Sequence, residues 1–277
     1  MKMLQVVGAM LMLLPFSELS KKIERYCVYY NDEAPIEAFS PYDLIVLDST
    51  YHPKLEGLIE QKKTLLGYIS LGEVEGERDY FEQVKAEGIL LTENENWEGS
   101  FYVDMRDPKW TKRVIEELIP GILFQRFDGL FLDTLDNAGV MERSNPEKNK
   151  GMVQAAAKLV KTIRKHYPTI KIMMNRGYEL LPIVGGDIDM VMGESIYTDY
   201  NFDKNIYEYV PEDLYLQQVE SLQKTQSQFP HLKIYTLDYW KPNEPEVIKA
   251  IYQKERANGF IPYVATVDLH KIIPEPR

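Results

Sequence analysis

A strand that is buried on both faces and ends in acidic groups is encoded by residues 127–137, FDGLFLDTLDN. The Asp-Gly pair is a turn signal, and the apolar run after it lacks the alternation of a half-exposed strand. Asp133, Asp136 and Asn137 follow within five residues. In a barrel of parallel strands the carboxyl ends form the catalytic rim, so the stretch predicts that Asp133 lies on such a rim.

Seven further segments predict strands, and they occupy residues 26–30, 43–48, 65–71, 170–175, 188–193, 233–238 and 260–264. Pro262 weakens the last of them, because a proline removes one ladder hydrogen bond. Helical stripes lie between most strands, including one that begins at Asp107-Pro108, a cap followed by a first-turn proline. The longest insertion, about Gly72 to Asp107, includes a further short strand at 101–104.

Strands that alternate with helices imply a parallel sheet of the α/β class. Eight such units in about 250 residues predict a single-domain (β/α)8 TIM barrel over residues 21–277. An open doubly wound sheet is the alternative, but its Gly-x-Gly-x-x-Gly turn is missing after the first strand, where the sequence reads YYNDE at 29–33.

Composition excludes several classes of function. The net charge of -11 argues against nucleic acid and anionic membrane surfaces as partners. The single cysteine, Cys27, excludes an internal disulfide framework. The four histidines form no zinc-type cluster, so the sequence predicts neither a metal nor another cofactor.

The N-terminus reads Met1-Lys2 and continues with an apolar run from Met3 to Phe16. One basic residue before a largely apolar segment of 14 residues is typical of a secretory signal, and the segment is too short for a stable membrane span. Residues 1–20 are therefore predicted to be a signal-like or membrane-proximal segment of an exported protein. The alternative is an N-terminal helix packed on the barrel.

Acidic, amide and aromatic groups collect at the predicted strand ends. Any single acid there can cap the following helix, but convergence on one rim favours a binding site. Carboxylates mixed with rings suit a carbohydrate, whose hydroxyls form hydrogen bonds and whose C–H faces pack on rings. The predicted polysaccharide-binding residues are Tyr29, Asp48, Tyr68, Glu73, Asn175, Tyr197, Asp238 and Tyr239.

Asp133 and Glu194 are the best pair for glycoside hydrolysis, since each directly follows an apolar strand. That reaction needs two carboxyl groups across the scissile bond, one to protonate the leaving oxygen and one to attack or to activate water.

Three motifs resemble glycoside hydrolase family 114, the endo-α-1,4-polygalactosaminidases, and are similar to the hydrolase domain used in Pel exopolysaccharide processing. They are GYISLGE at 67–73, FDGLFLDTLD at 127–136 and VMGES at 191–195. The resemblance implies an exported TIM-barrel enzyme that cuts partially deacetylated α-1,4-linked galactosamine polymers without a metal. It also implies that the acids after strands four and six, here Asp133 and Glu194, are catalytic. By analogy with retaining α-glycosidase barrels, Asp133 is the nucleophile and Glu194 the general acid/base.

Two other functions remain open at this point. A non-catalytic sugar-binding barrel would keep the aromatic rim without needing both Asp133 and Glu194. A metal-dependent hydrolase or lyase would hold a divalent ion with Asp48, Asp133 and Asp136.

Overall fold

The computed structural model describes residues 25–276. The predicted signal segment lies outside these residues, so export stays a prediction. In the described range the strands are β1 Tyr26–Tyr29, β2 Leu44–Leu47, β3 Thr64–Ser70, β4 Glu73–Glu75, β5 Leu90–Glu93, β6 Ser100–Val103, β7 Gly129–Asp133, β8 Lys171–Asn175, β9 Met190–Glu194, β10 Thr198–Asn201, β11 Ile206–Tyr209, β12 Lys233–Tyr239 and β13 Ile261–Ala265.

Helices follow most strands of the barrel. They are α1 Glu56–Glu60, α2 Phe81–Ala86, α3 Pro108–Arg113, α4 Ile119–Phe124, α5 Asn137–Ser144, α6 Met152–His166, α7 Leu181–Val184, α8 Glu212–Gln228 and α9 Pro245–Ala257. A π-helical turn at Val114–Leu118 joins α3 to α4. Asp107 caps α3 as predicted, since its side chain accepts a hydrogen bond from Lys109 N. None of the helices in the described range is long and apolar enough to cross a membrane.

The central sheet has eight parallel strands in the order β1-β2-β3-β7-β8-β9-β12-β13, and it curls into a nearly closed barrel. The predicted (β/α)8 fold is confirmed. Pro262 is accommodated because β13 forms a hydrogen-bonded ladder on one side only, with β12. Tyr26, Tyr235 and Tyr263 fill the interior, with ring centroids of the first two 4.8 Å apart.

Two insertions stand on the carboxyl-end face of the barrel. The first, which we call the rim sheet, is the antiparallel set β4-β6-β5 and includes the strand predicted near residue 101. The second, the rim hairpin, is formed by β10 and β11. The sequence did not predict the rim hairpin, because its short strands are polar and carry no run of apolar residues.

Candidate active site

Asp133 and Glu194 meet at the mouth of the barrel. Asp133 ends β7, Glu194 ends β9, and Asn175 ends the strand between them, β8. Asn175 Nδ2 donates to Asp133 Oδ1 at 2.9 Å and to Glu194 Oε2 at 2.6 Å. Because both bonds share one nitrogen, these two carboxyl oxygens are at most about 5.5 Å apart, the separation at which two carboxyl groups can act on one sugar.

Tyr239, at the end of β12, holds the other side of Glu194. Its hydroxyl donates to Glu194 Oε1, so both oxygens of that carboxyl accept a hydrogen bond. Asp133 accepts a side-chain hydrogen bond from Asn175 on Oδ1, and a backbone hydrogen bond from Thr134 also favours its charged form. Asp133 and Glu194 are both partly exposed, whereas Tyr239 and Asn175 are buried beneath them. The site therefore presents two reachable carboxyl groups on a fixed support.

The two carboxyl groups share a poorly hydrated environment. Burial raises the pKa of Asp133 to about 7, and the charge of Glu194 adds to this shift. Burial also raises the pKa of Glu194, while the hydrogen bonds from Tyr239 and Asn175 oppose that shift. The pair consequently keeps a proton to higher pH than free carboxyl groups do, which suits a site that needs one acid and one base.

Tyr30 and Tyr68 form an aromatic wall beside Asp133. Their ring centroids are 5.3 Å apart, and Tyr68 also lies 6.3 Å from Phe131. Burial and the charge of Asp133 raise the pKa of both hydroxyls well above the usual value, so both stay protonated. Tyr68 thus lies where the sequence predicted it, next to the carboxyl pair.

The structure places Tyr29, a predicted substrate-binding residue, away from the carboxyl pair. Tyr29 is buried against Phe39 at 5.6 Å between ring centroids, and its hydroxyl accepts from Ala34 N. In this position it does not face the barrel mouth. Because side chains alternate along a strand, the next residue, Tyr30, faces the site instead. The strand alternation could have indicated this, because Tyr26, four residues before Tyr30 and on the same face of the strand, points into the barrel.

Asp48 and Glu73, two of the predicted substrate-binding residues, anchor loops in the structure, and their contact with a substrate stays a prediction. Asp48 Oδ1 accepts from Thr50 N and Tyr51 N, and Arg78 lies 3.3 Å from its other oxygen. Burial alone would raise the pKa of Asp48, but Arg78 and these hydrogen bonds bring it below its usual value.

Glu73 is buried and holds the rim sheet to the barrel. Its carboxyl accepts from Asn94, Ser100 and Asn137. Because both of its carboxyl oxygens accept hydrogen bonds, Glu73 fixes the rim sheet next to the start of α5.

Asp238 and Tyr197 also have structural positions. Asp238 is fully buried, and its Oδ1 accepts from Tyr197 N and Thr198 N at 2.8 Å each, which fixes the base of the rim hairpin. The ring of Tyr197 packs on Tyr209 and Tyr215, between the rim hairpin and α8. Both residues thus support the rim hairpin in the structure, and their predicted contact with a substrate stays a prediction.

The acids do not assemble into a metal site in the described range, where no three His, Cys, Asp or Glu side chains form a ligand set. The alternative ligands are engaged elsewhere: Asp48 pairs with Arg78, and Asp136 lies 3.5 Å from Arg176. A guanidinium group beside each of these carboxylates offsets the negative charge that a divalent ion would need.

Comparison with known proteins places the chain in a family. The sequence profile of glycoside-hydrolase family GH114 matches residues 20–276. The chain belongs to glycoside hydrolase family GH114. An uncharacterised protein of Deinococcus radiodurans is 28% identical over 245 residues, covering 84% of this chain and 76% of that protein.

Solved structures show the same GH114 architecture. The glycoside hydrolase domain of PelA from Pseudomonas aeruginosa has a TM-score of 0.81 at 25% identity, covering 91% of this chain and 98% of that one. Ega3 of Aspergillus fumigatus, solved in complex with galactosamine, has a TM-score of 0.62 at 14% identity, covering 89% and 92%; this likeness concerns the fold.

The GH114 motifs at 67–73 and 127–136 pack on each other. Thr134 follows Asp133 with a φ of 62°, and its hydroxyl accepts from Gly72 N at 2.8 Å. A Cβ at Gly72 would collide with the carbonyl oxygen of Thr134. Glycine is therefore required for the loop after β3 to pass this closely over the residue that follows Asp133.

An open cleft of about 680 Å³ begins beside Glu194 and is lined in part by Arg176, Ser195, Asp199, Tyr209 and Gln218. The sequence did not identify Arg176, although it directly follows Asn175 at the end of β8. An open cleft next to Glu194 leaves room for several linked sugars of the polysaccharide that a glycoside hydrolase takes as substrate.

Proposed function

We propose that this protein is a retaining glycosidase that cuts α-1,4-linked galactosamine-type polysaccharide with Asp133 and Glu194. The observation that carries the proposal is the single amide of Asn175 that donates to both carboxyl groups. It keeps their nearest oxygens within about 5.5 Å, in the range of retaining glycosidases and below the roughly 6.5–9.5 Å of inverting ones. An activated water would not fit comfortably between the carboxyl groups and the sugar.

A galactosamine polymer as substrate is supported by similarity and by charge. Ega3 was solved with galactosamine, and the family match covers nearly the whole chain. A partly deacetylated polymer carries ammonium groups, which a protein of net charge -11 attracts. The aromatic wall of Tyr30 and Tyr68 offers ring faces on which C–H groups of a sugar can pack.

We assign Asp133 as the nucleophile and Glu194 as the general acid/base. Asp133 accepts one side-chain hydrogen bond, on Oδ1, whereas Glu194 accepts one on each oxygen, so Asp133 is the less restrained carboxyl group for attack on the anomeric carbon. As the general acid, Glu194 must carry the proton once substrate binds, whereas the hydrogen bonds from Asn175 and Tyr239 favour its charged form in the free enzyme. The same hydrogen bonds favour the opposite assignment, which covalent labelling of the nucleophile distinguishes.

Product analysis tests the activity itself. The purified protein is incubated with galactosamine, glucosamine and neutral polysaccharides, and products are identified by mass spectrometry and NMR. We expect galactosamine oligomers, released first as the α-anomer. Release of the β-anomer would contradict retention, and binding without any cleavage would favour the non-catalytic sugar-binding barrel.

A further inference from the structure

Two exposed aromatic rings meet above the barrel face. Trp97 lies in the loop between β5 and β6 of the rim sheet, and Phe202 lies in the loop of the rim hairpin. Their ring centroids are 5.4 Å apart in an edge-to-face contact, yet each side chain is 55% exposed. Two large rings that contact each other and remain half in water form an apolar surface that the core does not require.

The two loops form an arch whose bases stand on strands that flank the proposed catalytic residues. The rim sheet follows β3 and the rim hairpin follows β9, and β7 and β8 lie between these strands in the sheet. The bases of the arch therefore lie on either side of the strand ends that carry Asp133 and Asn175, and the two rings lie in the loops at its tip. The base of the rim sheet is fixed by a hydrogen bond from Asn94 to Glu73, and the base of the rim hairpin by one from Thr198 N to Asp238. The rings are thus fixed relative to the site.

The tip of the arch is acidic. Glu95 and Glu98 flank Trp97, and Asp203 follows Phe202. All three carboxylates are exposed, and none forms an ion pair with another residue in the described range. The neighbouring cation, Lys204, pairs with Glu208. The tip consequently offers ring faces surrounded by negative charge.

We propose that the Trp97–Phe202 arch is a distal subsite that binds a cationic amino-sugar unit of the polymer, away from the scissile bond. The C–H face of the sugar packs on the rings, and its ammonium group lies against the rings and the carboxylates. This inference rests on the proposed function for its ligand. It predicts that the arch affects long chains, which reach both sites, and leaves short oligomers unaffected.

Chain-length dependence of binding and cleavage tests the subsite. Trp97→Ala and Phe202→Ala are compared with wild type on galactosamine oligomers of increasing length, and Phe124→Ala is the matched control. Phe124 is 90% exposed at the end of α4, the helix that leads back to the start of β7, and it belongs to neither the rim sheet nor the rim hairpin. We expect KM for long oligomers to rise about five- to thirty-fold in both arch variants, the range of exposed to desolvated ring contacts with cations. The kinetics of short oligomers and of Phe124→Ala should stay at wild-type values.

Equal KM values for long oligomers in wild type and Trp97→Ala would overturn the subsite, as would an equal loss on short and long oligomers. Binding measured separately by calorimetry distinguishes this failure from failure of the proposed function. If wild type binds long oligomers in a Trp97-dependent manner but cuts none, the subsite stands and the hydrolase proposal fails. If a neutral polysaccharide of equal length binds the arch as tightly, the proposed recognition of the ammonium group is wrong.

Discussion

Two pairs of carboxyl groups with raised pKa values lie in neighbouring parts of the barrel: Asp133 with Glu194, and Asp238 with Glu255. Burial raises the pKa of Asp238 to about 7 and that of Glu255 to about 8, and the charge of Asp238 adds to the second shift. Asp133, at about 7, is no more perturbed than these. The pairs therefore cannot be distinguished by their titration.

Access separates the two pairs. Asp238 and Glu255 are fully buried, and Asp238 Oδ2 and Glu255 Oε1 have no hydrogen-bond partner among the described residues. Asp133 and Glu194 are partly exposed at the barrel mouth. A raised pKa reports burial, whereas a reachable oxygen beside a second carboxyl reports a capacity for chemistry.

The largest effect is expected for Glu194→Gln. The amide keeps the shape of the side chain but carries no transferable proton, so kcat should fall by at least about 10²–10⁴-fold. The melting temperature should change little, since the site is partly exposed. Glu255→Gln is the matched control, the same substitution in the other pair, and should retain wild-type kcat. Steady-state kinetics on a verified polymer provides the measurement, and a normal kcat for Glu194→Gln would end the assignment.

A smaller effect is expected for Asn175→Ala, which removes the donor shared by Asp133 and Glu194. We expect kcat/KM to fall about 10- to 100-fold, the usual value of hydrogen bonds to charged groups. These bonds lower the pKa of both carboxyls, so their loss raises both values. The acidic limb of the pH–rate profile should then move to higher pH. Asn137→Ala is the control on the same rim. If the acidic limb of the pH–rate profile did not move in Asn175→Ala, the amide of Asn175 would not set the pKa values of Asp133 and Glu194.

The smallest effect is expected for Glu255→Gln, and it concerns stability. The folded state raises the pKa of Glu255 from 4.5 to about 8, so it binds more protons than the unfolded state between these values. The contribution of protonated Glu255 to the free energy of unfolding is therefore complete below about pH 4.5 and is lost as pH rises through 8. Glutamine stays neutral, so the melting temperature should decline less with pH and be higher than wild type at pH 9 by roughly 2–4 °C. If the melting temperatures of wild type and Glu255→Gln changed in the same way with pH, the result would contradict a buried, protonated Glu255.

Much of the fold could be predicted from residue pattern alone. The uniform apolar run before Asp133 and seven similar segments predicted buried parallel strands, and the helical stripes between them predicted the connections. The rim hairpin could not be predicted, because β10 and β11 are held by contacts with distant residues, such as the hydrogen bond from Thr198 N to Asp238.

The candidate site was predictable only in part, for a different physical reason. Asp133, Glu194, Asn175, Tyr68 and Tyr239 come together because the strand ends of a barrel converge. Other strand-end acids look the same in sequence but are enclosed by backbone N–H groups or by arginine. Whether an acid anchors a loop or remains accessible depends on the path of that loop, which local sequence does not reveal. Asp48, with Thr50, Tyr51 and Arg78 around it, illustrates this.

Covalent labelling of the nucleophile tests directly whether Asp133 and Glu194 form the catalytic pair. A fluorinated galactosaminyl fluoride that forms a slowly hydrolysed glycosyl-enzyme is incubated with the protein, and the labelled residue is identified by mass spectrometry of peptides. We expect a single labelled residue, Asp133, in the wild-type protein and no label in Asp133→Asn. A label on Glu194 would reverse the two roles. A label on Asp238 or Glu255, or time-dependent inactivation that persists in Asp133→Asn, would contradict the assignment of the catalytic pair.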